Sequence, residues 1–216
     1  MPAVQLFLIA AAVLVAILAT RAHYLDEGRR WQIYVFKPLA TLLILALALT
    51  LVPAQGEYRL LVAAGLLLST AGDVFLMLPR DRFVFGLASF LVAHLCYVAA
   101  FSLGVPFGAA PLAWLPYVTA GAVVVALVWP GLKSALRGPV VIYVIVIAAM
   151  AGQATGRWLE TGGTAALLAA AGAGLFVVSD AVLAIDRFRW PFRAARAVTL
   201  VTYWSAQLLI ALSVSS

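Results

Sequence analysis

Eight apolar runs of membrane-spanning length follow one another along the chain and leave almost no room for a water-soluble domain. They cover roughly residues 3–21, 35–53, 59–78, 83–103, 111–129, 139–156, 164–185 and 195–214. Each is close to the 17–25 residues that a helix needs to cross the hydrocarbon core of a bilayer. The runs are continuously apolar rather than alternating, which argues against membrane-barrel strands. The sequence therefore predicts an all-α, polytopic protein in which residues 1–216 form a single membrane domain of eight transmembrane helices.

The composition supports a membrane location for the whole chain. Only 10% of the residues are charged and 66% are hydrophobic, whereas soluble domains average about 25% charged residues. The first run has no basic residue ahead of it and is too long for the core of a cleavable signal peptide, so we interpret it as a retained span. The single cysteine, Cys96, excludes an intrachain disulfide and a cysteine-based metal cluster.

Basic residues are concentrated on one side of the predicted spans. Loops 21–37, 79–82, 130–138 and 186–196 hold twelve of the fourteen Lys and Arg residues, and the other side holds only Arg59 and Arg157. The positive-inside rule then predicts that these four loops are cytoplasmic and that both termini are not. We therefore attribute the net charge of +6 to the orientation of the protein in its membrane. The expected location is the cell membrane, as a multi-pass protein, and specifically a bacterial inner membrane. The lipid bilayer is an expected partner, and neither a nucleic acid nor a protein partner is predicted.

Two aspartates interrupt the apolar runs in a similar way. Asp73 in "GDVFLML" lies seven residues before Arg80, and Asp180 in "SDAVLAIDRF" lies seven before Arg187. At about 1.5 Å per residue, both carboxylates are expected about 10 Å inside the cytoplasmic boundary. A charge near the membrane centre costs at least about 2.5 kcal/mol, so both should face a protein interior or an aqueous cavity. Both segments end in "DRF", which also fits a parallel repeat of spans 1–4 and 5–8.

Further polar side chains are expected near the depth of the two aspartates. They are Tyr143 and Tyr203 in the same layer, Ser69, His94, Tyr97 and Gln207 deeper in the membrane, and Lys37 at the cytoplasmic mouth, in "VFKPL". Together they predict a polar cavity that opens toward the inner leaflet and is lined by spans 2, 3, 4, 6, 7 and 8. The predicted active site therefore faces the cytoplasmic leaflet.

Each of these residues also has a purely structural interpretation. A lone aspartate could pair with a neighbouring lysine or cap a helix that is broken after Gly72. His94 could simply hydrogen-bond between helices, the two tyrosines could pack, and Lys37 could extend to the membrane interface. The matched depth of the carboxylates favours a shared site. The chain has only two histidines, His23 and His94, which are separated in depth, so we predict no metal site and no cofactor.

Two carboxylates in one low-dielectric pocket are expected to lose their protons at different pH values, so that one is a proton donor while the other is a proton acceptor. No G-x-S-x-G motif and no Ser-His-Asp set is visible, which disfavours nucleophilic ester cleavage. The pattern suits a bond that breaks after protonation, through an oxocarbenium-like cation. Two other classes stay open: a proton-coupled transporter of a small molecule or lipid that uses the paired aspartates, and a lipid-binding, receptor-like protein.

Five motifs together resemble those of the YhhN family. They are "KP" at 37–38, "GDVFLML" at 72–78, "FGLASFLVAHLCYVAAF" at 85–101, "SDAVLAIDRF" at 179–188 and "TYWSAQLLI" at 202–210. The resemblance covers most of the chain, although spans 1 and 5 carry no recognisable signature. The family comprises membrane proteins with eight predicted spans whose characterised members are lysoplasmalogenases. The resemblance implies that a lysophospholipid is the substrate, and that its vinyl ether bond is hydrolysed to a fatty aldehyde and a glycerophospho-base.

This chemistry agrees with the interpretation of the two carboxylates, because vinyl ethers are hydrolysed after protonation at carbon. Asp73 and Asp180 are then expected to be the catalytic acid/base pair, without assignment of the two roles. We expect His94, Tyr143, Tyr203 and Gln207 to orient water and the ether oxygen, with Ser69 and Tyr97 in the same substrate-binding or orienting set. Lys37 is expected to bind the lipid phosphate at the cytoplasmic mouth.

Overall fold

The computed structural model describes residues 1–24, 31–78 and 82–215, and within these ranges the chain forms eight long α-helices. They are α1 (Ala3–Ala22), α2 (Trp31–Thr50), α3 (Gly56–Met77), α4 (Phe83–Phe101), α5 (Leu115–Val128), α6 (Ser134–Thr161), α7 (Gly163–Phe188) and α8 (Ala195–Leu212). Short 3₁₀ turns at Pro111–Trp114 and Trp129–Gly131 extend α5 at both ends. All eight helices, α5 with its extensions, are long and apolar enough to cross a membrane. The predicted all-α, eight-span architecture is confirmed.

Several helices extend beyond the apolar runs that predicted them. Helix α2 begins at Trp31 rather than at residue 35, and α6 covers Ser134–Thr161 rather than 139–156. Hydropathy marks only the part of a helix that lies in hydrocarbon, whereas the backbone continues until its terminal N–H and C=O groups find other partners. Lys37, which the sequence placed at the boundary between loop 21–37 and span 35–53, therefore lies inside α2.

Close helix contacts hold the two aspartate-bearing helices against their neighbours. A Cβ on Gly65 of α3 would lie 2.3 Å from a ring carbon of Tyr97 on α4. A Cβ on Gly172 of α7 would lie 2.8 Å from the carbonyl oxygen of Ala206 on α8. Small residues allow membrane helices to approach closely where the hydrophobic effect gives little drive for association. These contacts fix α3 against α4 and α7 against α8.

Helix α3 is continuous through Gly72, so the interpretation of Asp73 as the cap of a broken helix is wrong. Gly72 instead allows Phe90 of α4 to pack closely, because a Cβ there would lie 2.6 Å from the ring. Helix α3 ends four residues after Asp73, whereas α7 continues for eight residues after Asp180.

One end of the helix bundle carries most of the described basic residues. We call it the basic end, where α1, α3, α5 and α7 finish and α2, α4, α6 and α8 begin. Arg82, Lys133, Arg189 and Arg193 lie there in turns or at helix ends. Both aspartates lie nearer to this end of their helices than to the other end.

Candidate active site

A cavity of about 700 Å³ lies between the helices toward the basic end, and both Asp73 and Asp180 line it. Its volume is in the range of small-molecule and lipid-sized sites. Every one of the eight helices, or the turn that directly follows it, contributes to the wall. Helices α1 and α5 therefore join the six spans that the sequence predicted to line it. Tyr143, Tyr203 and Lys37 also line this cavity.

Asp73 is held by an ion pair and two hydroxyl donors. The Lys37 Nζ lies 3.0 Å from Oδ1, and the two side chains are only 11% and 2% exposed. Thr41 Oγ1 and the Tyr203 hydroxyl both donate to Oδ2, at 3.0 and 2.8 Å. Lys37 and Thr41 are one turn apart on the same face of α2. Trp204 Nε1 donates to Thr41 Oγ1 at 3.3 Å and fixes that hydroxyl. The arrangement is that of a carboxylate anion paired with an ammonium.

Asp180 lies at the end of a chain of hydrogen-bonding side chains. The Tyr143 hydroxyl donates to its Oδ2. His94 Nε2 lies 2.9 Å from the Tyr143 hydroxyl and 3.7 Å from Asp180 Oδ2. Because the Tyr143 proton points to Asp180, its oxygen accepts a hydrogen bond from His94 Nε2–H. The Nδ1 of His94 has no hydrogen-bond partner among the described residues.

The two carboxylates therefore have different surroundings within one cavity. Asp73 is 2% exposed and contacts a lysine, whereas Asp180 is 17% exposed and forms no ion pair with a Lys or Arg of the described residues. Among the same residues, no group of three or more His, Cys, Asp or Glu side chains could hold a metal ion. The site thus combines one deeply buried, charge-paired carboxylate with one that is open to the cavity.

Each aspartate takes partners from two other helices, one in each half of the chain. Asp73 on α3 receives Lys37 and Thr41 from α2 and Tyr203 from α8. Asp180 on α7 is contacted by groups of α6 and α4. In a repeat of α1–α4 and α5–α8, α2 corresponds to α6 and α8 to α4. The repeat itself stays a prediction, but each aspartate takes one neighbour from its own half and one from the other half.

Three of the residues predicted in the site lie behind the cavity wall. The Tyr97 hydroxyl donates to Gln207 Oε1 at 2.7 Å, and both side chains are fully buried. Ser69 is also buried, and its hydroxyl has no hydrogen-bond partner among the described residues. The described cavity lining does not include these three side chains. His94 is likewise buried and contacts the cavity-lining groups Tyr143 and Asp180.

Lys37, expected to bind the lipid phosphate at the cytoplasmic mouth, lies beside Asp73 in the structure. It lies inside α2, is buried, and its ammonium contacts the Asp73 carboxylate. The structural interpretation in which an aspartate pairs with a neighbouring lysine thus describes Asp73 correctly. The lysine is a neighbour in the fold and not in the sequence, since the two residues lie 36 positions apart.

The structure also shows polar residues near the cavity that sequence reasoning missed. Thr41 contacts Asp73, and its position four residues after Lys37 was a signal that could have identified it. His23 and Arg196 line the cavity at the basic end, with Arg196 Nη1 3.2 Å from His23 Nδ1. Burial, followed by the positive charges of Arg196 and Lys37, lowers the pKa of His23 to about 4. His23 is therefore neutral at pH 7 and accepts the hydrogen bond from Arg196.

The comparisons with known proteins agree with the sequence motifs. The family model described as the YhhN family matches residues 32–214. A relative named uncharacterized membrane protein YhhN, from Escherichia coli O6:H1, is 33% identical over 203 residues, which cover 93% of this chain and 94% of the relative. No solved structure matches the chain significantly.

Animal relatives carry a name that states an activity. The human protein named lysoplasmalogenase TMEM86B is 38% identical over 174 residues, which cover 79% of this chain and 70% of the relative. The bovine protein named lysoplasmalogenase TMEM86A is 37% identical over 165 residues, which cover 70% and 64%. The family match over residues 32–214 and the near full-length similarity to the bacterial relative show that this multi-pass membrane protein belongs to the YhhN family.

Proposed function

We propose that this protein is a membrane-embedded hydrolase that cleaves the vinyl ether bond of a lysoplasmalogen, releasing a fatty aldehyde and a glycerophospho-base. The observation that carries the proposal is that Asp73 and Asp180 line one cavity in contrasting surroundings. The names of the TMEM86A and TMEM86B relatives support the choice of substrate. Vinyl ether hydrolysis needs a proton donor and an anion near one bond, and the two carboxylates can supply both.

Asp180 is the proposed general acid. It is the more exposed of the two carboxyl groups, and it has no Lys or Arg ion-pair partner among the described residues that would favour its anion. The Tyr143 hydroxyl donates to Oδ2, which leaves Oδ1 to carry a proton toward the cavity. A positioned carboxylic acid of this kind contributes about 10²–10⁴-fold to proton-transfer reactions.

Asp73 is the proposed anionic partner. Its ion pair with Lys37 and its two hydroxyl donors hold a carboxylate in a fixed position. A negative group fixed before the reaction stabilises a developing cation without reorganisation at the moment of reaction. Asp73 can therefore stabilise the oxocarbenium ion and accept a proton from the water that attacks it.

The proposed reaction proceeds in three steps. Asp180 first transfers its proton to the alkenyl carbon that is not bound to oxygen, and the other alkenyl carbon becomes part of an oxocarbenium ion. Water then adds to that carbon and gives one proton to Asp73, which produces a hemiacetal. The hemiacetal finally collapses: its hydroxyl proton returns to Asp180, the bond to the glycerol oxygen breaks, and Asp73 protonates that oxygen.

The apolar part of the cavity wall is suited to the alkenyl chain. Other helices contribute Ile33, Leu76, Met77, Phe83, Leu87, Phe90 and Leu200 to it, and one stretch consists of small and branched side chains: Ala120, Gly121 and Val124 of α5, Val140, Val144 and Ile147 of α6, and Val177, Ala181, Leu183 and Ala184 of α7. Asp180 lies within this stretch of α7, and the other charged groups of the lining lie on other helices or nearer to the basic end of α7. A lysolipid would therefore place its chain among α5, α6 and α7 and its polar part toward the basic end.

An aldehyde-release assay tests the proposed function. The full chain, purified in detergent, is expected to release fatty aldehyde from 1-alkenyl lysophosphatidylethanolamine without a membrane gradient. The matched 1-alkyl ether lysolipid should not react, because a saturated ether cannot be protonated at carbon to an oxocarbenium ion. Gradient-driven flux in proteoliposomes, with no aldehyde from any alkenyl lysolipid, would instead identify a proton-coupled transporter. Tight lysolipid binding with neither activity would identify a binding protein.

Replacement of Tyr143 with phenylalanine is expected to lower kcat about tenfold to a hundredfold, with KM changed less than about twofold. The change removes the donor to Asp180 and disconnects His94 from the carboxyl group. Asp180 becomes an anion as it gives up its proton, and a hydrogen bond to a charged group contributes about 1.5–3 kcal/mol. The measurement is steady-state aldehyde release.

Tyr117 provides a matched control for the Tyr143 variant. Its hydroxyl bonds Thr155 Oγ1 at 2.9 Å, and Tyr117 is not among the described cavity-lining residues. Tyr117→Phe should therefore keep wild-type kcat. If Tyr143→Phe and Tyr117→Phe reduce kcat equally, then the Tyr143 hydroxyl acts in helix packing and not through Asp180.

A further inference from the structure

Arg196 is a cation at the cavity that belongs to neither carboxylate cluster. It lies in the first turn of α8, is exposed, and lines the cavity at the basic end. Its Nη1 lies 3.2 Å from the Nδ1 of His23, and no carboxylate of the described residues forms an ion pair with it. A guanidinium has five N–H donors in a planar fork, and among the described residues most of the donors of Arg196 have no hydrogen-bond partner.

The other charged groups of the lining have described contacts of their own. Lys37 lies 3.0 Å from Asp73. Asp186 accepts a hydrogen bond from the backbone N–H of Phe192 at 3.1 Å. Arg187 lies over the ring of Phe83, 4.2 Å from its centroid. Of the cations Lys37, Arg187 and Arg196, Arg196 is the one whose described hydrogen-bond partner is a neutral side chain, His23.

His23 complements the guanidinium of Arg196. Since burial and the nearby cations lower the pKa of His23 to about 4, its Nδ1 carries a lone pair at pH 7 and its Nε2 carries a proton. Nδ1 accepts a hydrogen bond from Arg196 and thereby fixes the orientation of the guanidinium. Both residues belong to the basic end, where α1 finishes and α8 begins. The N-terminal end of a helix also carries partial positive charge, which favours an anion there.

We infer that Arg196, oriented by His23, binds the phosphate group of the lysolipid at the basic end of the cavity, and that Lys37 does not. The inference rests on the proposed function for its choice of a lysophospholipid, and it names the residue that recognises the headgroup. The planar guanidinium matches the geometry of two phosphate oxygens, which a lysine ammonium cannot do. A lipid held in this way has its phosphate at the basic end, its chain among α5, α6 and α7, and its ether bond between these two parts, near the aspartates.

Equilibrium binding to the full chain in detergent tests the inference without any turnover. The probes are 1-acyl lysophosphatidylethanolamine, which has no vinyl ether bond, and the monoacylglycerol with the same chain, which has no phosphate. Arg196→Gln is expected to weaken lysophosphatidylethanolamine binding about tenfold or more, since a hydrogen bond to a charged group is lost. The same variant should bind the monoacylglycerol as the wild type does. Arg196→Lys keeps the charge but loses the fork, and should lie between the two proteins.

Arg193 gives the matched control for Arg196. It lies three residues away in the same basic segment, is exposed, and is not among the described cavity-lining residues. Arg193→Gln removes the same charge from the same end of the bundle and should change binding of either probe less than about twofold. Equal weakening by Arg193→Gln and Arg196→Gln would show a general charge effect and overturn the inference. Equal weakening of both probes by Arg196→Gln would show a structural role and also overturn it.

Inorganic phosphate distinguishes a lipid phosphate from a free one. We expect excess inorganic phosphate not to displace lysophosphatidylethanolamine from the wild type, because the chain and the phosphate bind as one molecule. Displacement from the wild type but not from Arg196→Gln would identify free phosphate as the ligand and overturn the lipid assignment.

Failure of the proposed function is seen separately, as absence of aldehyde release in a protein that still binds the lysolipid through Arg196. Aldehyde release with an unchanged KM in Arg196→Gln would overturn only the phosphate assignment.

Discussion

Asp180→Asn is expected to lower kcat for aldehyde release by about 10²–10⁴-fold, the contribution of a positioned general acid. Asparagine has nearly the same shape and can still accept the hydrogen bond from Tyr143 through its amide oxygen. It cannot deliver a proton to an alkenyl carbon. The variant should therefore fold and bind lysolipid as the wild type does, which separates the loss of chemistry from a loss of structure. The measurement is kcat with 1-alkenyl lysophosphatidylethanolamine, beside the binding constant for its 1-acyl analogue.

Asp186 is the matched control for Asp180, because it lies on the same helix and lines the same cavity. Its Oδ1 accepts a hydrogen bond from the backbone N–H of Phe192, and an asparagine oxygen can do the same. Asp186→Asn should retain kcat within about threefold, as is typical of substitutions that keep the local hydrogen bonds. If Asp180→Asn turns over as fast as Asp186→Asn, Asp180 is not the acid.

Lys37→Met is expected to destabilise the protein by about 3–5 kcal/mol, because it leaves the buried Asp73 carboxylate without its cation. The double variant Lys37→Met with Asp73→Asn should recover most of that stability, since no buried charge is left without a partner. It should still release aldehyde far more slowly than the wild type, because the proposed anion is missing. Reversible unfolding in detergent gives the stabilities of the four proteins of the cycle, and the aldehyde assay gives their activities.

Lys133→Met controls for the loss of a lysine at the same end of the bundle. Lys133 is exposed at the N-cap of α6, and its replacement should change stability by less than about 0.5 kcal/mol. If the double variant is both stable and fully active, Asp73 serves only to neutralise Lys37. If Lys37→Met is as stable as Lys133→Met, the ion pair does not contribute to the fold as proposed.

The helical architecture follows from the sequence because the membrane restricts the choice. In hydrocarbon every backbone N–H and C=O must be paired within the segment, so a long apolar run has few alternatives to a helix. The helix ends were less predictable. Lys37 illustrates the reason: a charged residue next to an apolar run marks a loop if it meets water, but it continues the helix if it finds a buried partner such as Asp73.

The sequence allowed us to predict how deep each site residue lies in the membrane, but not whether its side chain faces the cavity. Counting residues from the basic loops gives the depth of a side chain, yet the side of a helix that faces the cavity depends on the rotation of that helix in the bundle. Tyr143 and Tyr203 were placed in the layer of the aspartates, and they contact Asp180 and Asp73. Tyr97 lies on the same helix as His94, and its hydroxyl turns to Gln207 in the core.

The role inferred for Arg196 could not be predicted from the sequence. Arg196 counts toward the charge asymmetry that orients the protein, and nothing in its local sequence separates it from Arg193. The difference arises in three dimensions, because α1 ends beside the start of α8 and brings His23 to Arg196. A contact between residues 173 positions apart cannot be deduced from spacing within one segment.

The exchange of partners between the two halves of the chain links the site to membrane insertion. Asp73 depends on Tyr203 from the last helix, and Asp180 is contacted by His94 from the fourth helix. If α8 failed to enter the bilayer, the Lys37–Asp73 pair would lose a hydroxyl donor, and without α4 in place Tyr143 would lose its contact with His94. Neither carboxylate can reach its final surroundings during synthesis until helices from both halves have been inserted and have associated.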